Sequence, residues 1–199
     1  MSAARTATRS GSRYVVGIDP GGTGAACLLD GRRLLLVLSW RPSVRSGRRG
    51  FLVSTRAIGR SVDLWRSTAG EIGRDLVGEV VRLVGVGTSL GVAIEDVYVG
   101  KSVRTAIDLA RTSGSLVGPI EALSGERALV VGAAEWRAQV IGLARRSTKR
   151  EDAKAAAIER IPPLVEGWTL LVDRTTEHVA DAVGIALARA KTTNGGEDG

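Results

Sequence analysis

Four residues of the sequence carry side chains that together could hold a divalent cation. Asp19 ends the short apolar run Tyr14–Asp19 and precedes a glycine-rich turn, while Glu95 lies inside another apolar run. His178 and Asp181 are three residues apart in an alanine-rich segment, and this spacing predicts that they share one face of a helix. Carboxylate oxygens combined with one imidazole suit Mg²⁺ or Mn²⁺. Two such ions about 4 Å apart are able to activate a water for phosphodiester hydrolysis.

Each of these residues also has a purely structural interpretation. An aspartate before Pro20-Gly21-Gly22 is typical of a turn, and a single histidine near the start of a helix commonly caps it or faces solvent. Glu95 is the most informative of the four, because a carboxylate between apolar neighbours needs a partner or a metal ion. The neighbouring Asp96 is expected to face the other side of the strand.

Apolar runs separated by turn residues predict the elements that position these side chains. Predicted strands are Tyr14–Asp19, Ala25–Leu29, Leu34–Leu38, Val92–Val99 and Ala128–Gly132, with a brief strand or turn at Leu170–Asp173. Predicted helices are Ser61–Val84, Val103–Leu123, Ala134–Leu143, a helix from the capping box Thr148–Glu151 to Pro162-Pro163, and Thr176–Lys191. Asp30-Gly31 predicts a hairpin turn between the second and third strands. Ser102 is expected to cap the second helix, and Gly118-Pro119 to kink or break it.

This order predicts one α/β domain over residues 14–191, with a mixed five-stranded sheet and helices on both faces. The first strand should be central, with the fourth parallel and beside it, so that Asp19 and Glu95 point into one cleft. The last helix, packed over the sheet, would bring His178 and Asp181 to the same place. We expect disordered tails at 1–13 and 192–199. The arginine-rich residues 40–60 should form a basic arm or loop with at most a short hairpin.

The charge balance of the chain indicates the class of partner. Its 199 residues contain 28 Lys and Arg against 21 Asp and Glu, a net charge of +7. This excess favours a polyanionic partner, with nucleic acid ahead of an anionic membrane surface. One cysteine and one histidine exclude an internal disulfide framework and a Cys/His zinc site. No apolar run approaches the roughly 20 residues that span a bilayer, and no secretory signal is recognisable. We therefore expect a cytoplasmic protein that is not associated with a membrane.

Four sequence blocks in this order resemble the RuvC family of Holliday junction resolvases, in particular its phage and chloroplast branch. The blocks are VVGIDPGGTGAACLLDG, AIEDVYVGKSVRTAIDLARTSGSLVG, WRAQVIGLARRSTKREDAKAAAIERIP and HVADAVGIALA, and they span roughly residues 14–190. The resemblance implies a ribonuclease H-like fold and a homodimer that resolves four-way DNA junctions by paired symmetric nicks. A candidate dimer interface is the apolar stripe of the predicted second helix, which could instead belong to the core. Its members are Val103, Ile107, Leu109 and Ala110.

The resemblance implies a metal site and a catalytic cation. Asp19, Glu95, His178 and Asp181 are the implied ligands of two Mg²⁺ ions, for which Mn²⁺ would substitute. Many members of the family have Asp where this chain has His178. A basic residue close to the scissile phosphate is also implied, and it falls on one of two neighbours in the turn before the penultimate long helix. These two residues are Lys149 and Arg150.

The resemblance also implies residues that bind DNA. Tyr98 falls on the aromatic position that stacks on junction bases, and Lys101 falls on the basic position of the following loop. Other residues expected to contact DNA are Ser102, Arg104, Arg45, Arg48, Arg49, Lys149 and Arg150. Ser102 stands where many members have Asn, and Thr112-Ser113-Gly114 lacks the arginine that often precedes that glycine. The sequence preference of cleavage is therefore left open.

Three other functions are compatible with parts of the sequence. The segment GIDPGGTG also resembles the first phosphate loop of sugar kinases and related ATPases, but a lone glycine-rich loop is a weak signal and no second loop is recognisable. A non-catalytic DNA-binding protein with the same fold is less consistent with the carboxylates, because these repel phosphates. A nuclease of the same fold acting on RNA–DNA hybrids or on other branched DNA is the third.

Overall fold

A seven-stranded mixed sheet forms the central layer of the structure. The computed structural model describes residues 12–96, 102–143, 149–172 and 176–194. The strands are β1 (Tyr14–Asp19), β2 (Gly24–Asp30), β3 (Arg33–Arg45), β4 (Arg48–Ala57), β5 (Arg60–Arg66), β6 (Leu90–Glu95) and β7 (Leu129–Val131). Their order across the sheet is β5-β4-β3-β2-β1-β6-β7. Strands β1 to β5 pair antiparallel in sequence, whereas β6 pairs in parallel with both β1 and β7.

Helices cover both faces of the sheet. Helices α1 (Ala69–Val84) and α2 (Val103–Ser124) pack on one face. The other face carries α3 (Ala133–Ile141), α4 (Arg150–Arg160), a 3₁₀ turn (Pro162–Leu164), α5 (Trp168–Leu171) and α6 (Glu177–Asn194). Because successive strand residues point to opposite faces, Val16 and Ile18 enter the core under α1 and α2, while Val15 enters the core under α6. In the described ranges, no helix is long and apolar enough to cross a membrane.

Helix α6 approaches the sheet at a distance that only small residues allow. A Cβ atom at Gly17 would collide with the carbonyl oxygen of Ala182 and lie 2.7 Å from the amide nitrogen of Ala186. On the far side of α6, a Cβ atom at Gly184 would lie 2.6 Å from Cε3 of Trp136, whose ring is fully buried. Helix α6 is therefore held between β1 and the indole of α3, which explains why its sequence is rich in alanine and glycine.

The five strands that the sequence predicted occupy five consecutive positions in the sheet, β3-β2-β1-β6-β7, in the expected arrangement. Gly31, with φ of 58°, occupies the turn of the β2–β3 hairpin, in which Asp30 pairs with Arg33. The predicted fourth strand, β6, lies beside β1 and parallel to it, with Ile18 opposite Ile94. The prediction of an α/β fold with helices on both faces of a mixed sheet is confirmed.

The sheet is wider than predicted, because residues 40–60 do not form a loop. They complete β3, make all of β4, and lead into β5 at Arg60, so that two further antiparallel strands extend the sheet beyond the predicted edge. The predicted helix Ser61–Val84 begins only at Ala69, where Thr68 closes a capping box with Glu71. Only β5 shows a two-residue alternation, in which Val62 and Leu64 alternate with Ser61 and Asp63. In β4 the three consecutive apolar residues Phe51–Val53 are followed by three polar ones, so the sequence gives no alternation there.

Two local predictions on the helices also differ from the structure. Helix α2 continues through Pro119 without a break, since Leu116, Val117 and Ile120 around it are buried against the sheet and α1. Of the segment predicted as a strand or turn at 170–173, Leu170 and Leu171 instead belong to the short helix α5, and Asp173 lies outside the described residues. Ser102 caps α2 as predicted, accepting a hydrogen bond from the Thr105 amide. Thr148 of the predicted capping box lies outside the described residues.

Replacing Gly184 by alanine should destabilise the protein, because the new methyl group would meet the buried Trp136 ring. We expect a loss of about 1–3 kcal/mol in the free energy of unfolding, as for other overpacked cores. Gly78→Ala is the matched control, since Gly78 is an exposed glycine inside α1 with open space around its Cβ position. That variant should gain about 0.5–1 kcal/mol from helix propensity. Urea denaturation of both variants measures the difference, and equal effects would contradict the packing described.

Candidate active site

A cleft of about 570 Å³ opens where β1 and β6 end. One part of its wall is acidic and is formed by side chains from β1, β6 and α6, and another part is basic and comes from α3 and α4. The lining residues are Asp19, Pro20, Gly21, Glu95, Asp96, Leu109, Ala133, Arg137, Arg150, Lys154, Glu177, His178 and Asp181. All four residues predicted as metal ligands are thus brought together in one place. Asp96, expected on the other side of its strand, also lines the cleft, because β6 ends at Glu95.

The pairing of β1 with β6 positions the two strand carboxylates. Ile18 lies opposite Ile94 in the parallel register, so Asp19 and Glu95 follow at the same level of the sheet. Only 7% of Asp19 is exposed to solvent. Parallel strands direct their carboxyl ends to the same edge of a sheet, where ligand sites of α/β folds commonly form.

Helix α6 adds the imidazole and a third carboxylate. Nδ1 of His178 lies 2.6 Å from Oδ2 of Asp19, which joins α6 directly to the end of β1. Asp181 is three residues further along α6 and is 6% exposed. This placement agrees with the predicted helical spacing of the two residues.

Arg137 of α3 and Lys154 of α4 are site residues that the sequence did not reveal, and Arg137 makes the closer contact with a predicted ligand. Its Nη2 donates a hydrogen bond of 2.9 Å to Oδ2 of Asp181, and its guanidinium lies 4.9 Å from the centre of the Trp136 ring. The other carboxylate oxygen of Asp181, Oδ1, is buried and has no hydrogen-bond partner among the residues that the structure describes. An arginine directly after a tryptophan, in the short helix that follows β7, was the available signal. The role of Arg137 is visible only in the folded structure, where α3 packs on α6 and brings this arginine to Asp181.

A second ion pair connects α4 with the start of α6. Nζ of Lys154 lies 2.7 Å from Oε2 of Glu177, and Oε1 of Glu177 lies 3.6 Å from Nε2 of His178. The imidazole therefore stands between the carboxylates of Asp19 and Glu177. This arrangement fixes its orientation and favours its protonated form.

Burial and mutual repulsion shift the pKa values of the site. Burial, and then the charges of Asp19 and Asp181, raise the pKa of Glu95 to about 8. Burial likewise raises the pKa of Asp181 to about 6, although Arg137 opposes that rise. The hydrogen bond to Asp19 raises the pKa of His178 above its ordinary value, against the opposing effect of burial. The cluster therefore holds protons that isolated carboxyl groups would release, as expected of negative charges that lack enough positive charge nearby.

The donor set fits a hard divalent cation in its chemistry. Three buried or half-buried carboxylates, one imidazole and an oxygen of Asp181 without a hydrogen-bond partner are the groups that such an ion would engage. Within the described ranges, however, no three potential ligand side chains are arranged to enclose an ion. Asp19 is bonded to His178 and Asp181 to Arg137, so cationic side chains of the protein itself now contact these oxygens.

The remaining predicted site residues fall in three places. Arg150, the first residue of α4, lines the cleft, whereas Lys149 occupies the exposed N-cap position before it. Ser102 and Arg104 lie exposed at the start of α2. Arg45, Arg48 and Arg49 lie exposed near the turn between β3 and β4. Tyr98 and Lys101 lie outside the described residues.

The same fold occurs in solved structures of RuvC from Thermus thermophilus. One of them matches with a TM-score of 0.52 at 17% sequence identity, over 92% of this chain and 96% of that one. A second, of T. thermophilus RuvC in complex with a Holliday junction substrate, matches with a TM-score of 0.52 at 18% identity and the same coverage. No protein-family model and no curated protein sequence matches this chain. The fold is thus the ribonuclease H-like fold of RuvC, in agreement with the resemblance of the sequence.

The shifted pKa values predict how stability depends on pH in EDTA. Glu95 holds a proton in the folded protein up to about pH 8 but releases it near 4.5 when unfolded, so stability falls as pH rises between these values. Asp181 acts in the same direction up to about pH 6. Glu95→Gln should therefore raise the free energy of unfolding at pH 8 by about 1–3 kcal/mol, by removing a poorly compensated buried charge.

Denaturant titrations from pH 5 to pH 8 measure this dependence. Glu159→Gln, at an exposed position of α4, is the matched control and should leave the pH profile of the parent unchanged. A Glu95→Gln protein whose stability still falls as steeply as the parent's between pH 6 and pH 8 would contradict the assignment of that slope to Glu95.

Proposed function

We propose that this protein is a divalent-cation-dependent endonuclease that resolves four-way DNA junctions by paired symmetric nicks. The observation that carries the proposal is the cluster of Asp19, Glu95, His178 and Asp181 at the ends of β1 and β6, beside a basic wall. The fold is shared with RuvC, one structure of which was determined with a Holliday junction substrate. The net charge of +7 supports a polyanionic substrate. A DNA substrate is also consistent with the cytoplasmic location expected from the sequence.

The acidic cluster would hold two Mg²⁺ ions, with Mn²⁺ as a substitute. When bound, such ions supply an activated water and offset charge on the phosphate. Asp19 lies between the strand carboxylate Glu95 and the α6 pair, and so is placed to serve both halves of the site. His178 can act as a ligand only as a neutral imidazole. Arg137 would have to release Asp181 for that carboxylate to become a ligand.

The basic wall of the cleft is suited to the phosphate that is cut. Arg150 and Lys154 lie one turn apart on α4, and both line the cleft. A fixed cation near the scissile phosphate stabilises the negative charge that grows in the transition state. Between the two residues left open by the sequence, Arg150 is the better candidate for this role, because its side chain reaches the cleft. Hydrolysis would leave a 5′-phosphate and a 3′-hydroxyl.

Resolution by two symmetric nicks requires two active sites, and the start of α2 supports a homodimer. Val103 is 70% exposed and Ile107 is 46% exposed, so this part of the predicted stripe is not buried in the core of the chain. Ala110, one turn further on, is also exposed, whereas Leu109 lines the cleft. A twofold dimer that covers this stripe would place its interface next to the cleft.

Asp19→Asn should abolish cleavage of a synthetic four-way junction in Mg²⁺, while junction binding stays near the parent level or becomes tighter. The neutral amide is a poorer cation ligand, whereas affinity for DNA comes from basic residues on phosphates. Gel assays of cleavage and binding, and calorimetric titration with Mg²⁺ alone, separate the two effects. Asp30→Asn is the matched control, because Asp30 lies on β2 opposite Tyr14 at the far end of β1. A variant that cuts at more than a tenth of the parent rate would overturn the assignment.

The same assay distinguishes the other functions. A fork, a linear duplex and an RNA–DNA hybrid test alternative nucleic-acid substrates, each in Mg²⁺ and in EDTA. Hydrolysis of ATP without DNA cleavage would support the phosphate-loop interpretation of GIDPGGTG. Tight junction binding with no cleavage in Mg²⁺ or Mn²⁺ would support a non-catalytic DNA-binding protein.

Ile107→Asp should convert the proposed dimer into monomers, because a carboxylate in an apolar interface lacks a partner. Sedimentation velocity at micromolar protein concentration measures the change. Ile158→Asp is the matched control, since Ile158 is 37% exposed on α4 and lies outside the proposed interface. A parent protein that sediments as a monomer, or an Ile107→Asp variant that stays dimeric, would contradict this interface.

A further inference from the structure

Strands β3 and β4 carry positive charge without any carboxylate. From Gly31 to Val62 the chain contains eight arginines and no Asp or Glu. The outer part of this region is the hairpin arm, defined here as residues 41–52 of β3 and β4 with the turn at Ser46-Gly47 between them. Gly47 and Ser46 both have positive φ, which closes this turn tightly. The arm is thus an ordered β-hairpin and not a loose basic loop.

The strand register places the arm beyond the edge of the sheet where the cleft opens. Asp19 pairs with Ala25, and Ala25 pairs with Ser39, so β3 is level with the catalytic edge at this point. At this edge of the sheet the pairing of β2 with β3 ends at Gly24, the first residue of β2, which lies opposite Trp40. Arg45 lies five residues beyond Trp40, which is about 17 Å at the rise of a β-strand. The arm therefore projects past the cleft on the side of β2.

The base of the arm is fixed to the turn that follows Asp19. Nε1 of Trp40 donates a hydrogen bond of 3.0 Å to the carbonyl oxygen of Gly21. The indole ring packs over Gly24, where a Cβ atom would lie 2.8 Å from Cε2 of Trp40. Trp40 itself is 3% exposed. The position of the arm relative to the cleft is therefore set by a buried contact.

The two faces of the arm carry different arginines. Trp40 and Val53 pair with each other and are buried under α1 and α2. Because side chains alternate, the next pair, Arg41 with Leu52, faces the other side of the sheet, where α6 and the cleft lie. Arg45 and Arg48 pair with each other on that same side, whereas Arg49 pairs with Val44 on the side of Trp40. We call Arg41, Arg45 and Arg48 the cleft-side arginines.

We infer that the cleft-side arginines bind the phosphate backbone of one duplex arm of the DNA, a few base pairs from the phosphate held in the cleft. Along β3, Trp40 lies one residue past the level of Asp19, and the 17 Å from Trp40 to Arg45 corresponds to about five base pairs of B-DNA. All three arginines are exposed. Ser43 and Gly50 lie between them on this side, and the indole of Trp65 packs over Gly50. Arg49 lies on the opposite face and would not take part. This inference rests on the proposed function for the identity of the substrate as DNA.

The test compares Arg45→Ala/Arg48→Ala with Arg49→Ala/Arg33→Ala, two exposed arginines outside the cleft-side row, so that both variants lose two charges. Affinity for a labelled duplex and for a labelled four-way junction is measured in EDTA from 50 to 300 mM salt. Each lost phosphate contact should lower the slope of log affinity against log salt by about 0.9. We expect a reduction of almost 2 for the first variant and little change for the control. Thermal melting checks that both variants are folded.

The outcomes separate this inference from the proposed function. If the slope of log affinity against log salt fell equally in both variants, the attraction would be diffuse and not specific to the cleft-side arginines. An unchanged slope in Arg45→Ala/Arg48→Ala would also overturn the inference. Loss of binding to anionic lipid vesicles, with DNA binding unaffected, would identify a membrane surface instead and also overturn it. If the first variant shows the expected change but the parent cleaves no DNA, the arm binds DNA and the proposed nuclease activity fails. If the parent cleaves junctions and the slopes do not differ, the inference about the arm alone fails.

Discussion

The contact between helix α6 and strand β1 is the constraint on which the site depends. Gly17 lets the backbone of α6 rest directly on β1, and Asp19 lies two residues further along the same face of that strand. Two strand residues and one helical turn cover similar lengths, about 6 Å. The helix residues one turn before Ala182 therefore reach Asp19, which is where His178 is found. A larger residue at position 17 would separate the two halves of the cluster.

This close packing brings several carboxylates together, and neighbouring basic side chains form ion pairs with most of them. Asp181 meets Arg137, Asp19 meets His178, and Glu177 meets Lys154. These pairs leave Glu95 with the strongest rise in pKa, to about 8. The cluster is stabilised by retained protons and by ion pairs with arginine and histidine. The divalent cation proposed for this site would have to displace those protons and pairs. The same arrangement explains how a stable fold tolerates several buried carboxylates.

The extension of the sheet gives this fold a feature beyond the five predicted strands. Strands β4 and β5 continue the sheet past β3, and the hairpin arm is formed by the outer parts of β3 and β4. Trp40 joins that arm to the turn after Asp19 through its hydrogen bond to Gly21. The proposed DNA contacts of the arm and the proposed reaction in the cleft would thus be positioned by the same sheet.

The sequence by itself determined the central strands, the order of the elements and the four clustered residues. Apolar runs ending in Asp19 or containing Glu95, and a three-residue helical spacing, are local patterns that a chain displays without its fold. Only the tertiary structure decided the role of Arg137, since nothing local relates it to Asp181, which lies 44 residues away. It also decided that the arginine-rich residues 40–60 form strands. Pairing with β3 satisfies their backbone groups, and this long-range gain outweighs a composition typical of a solvated loop.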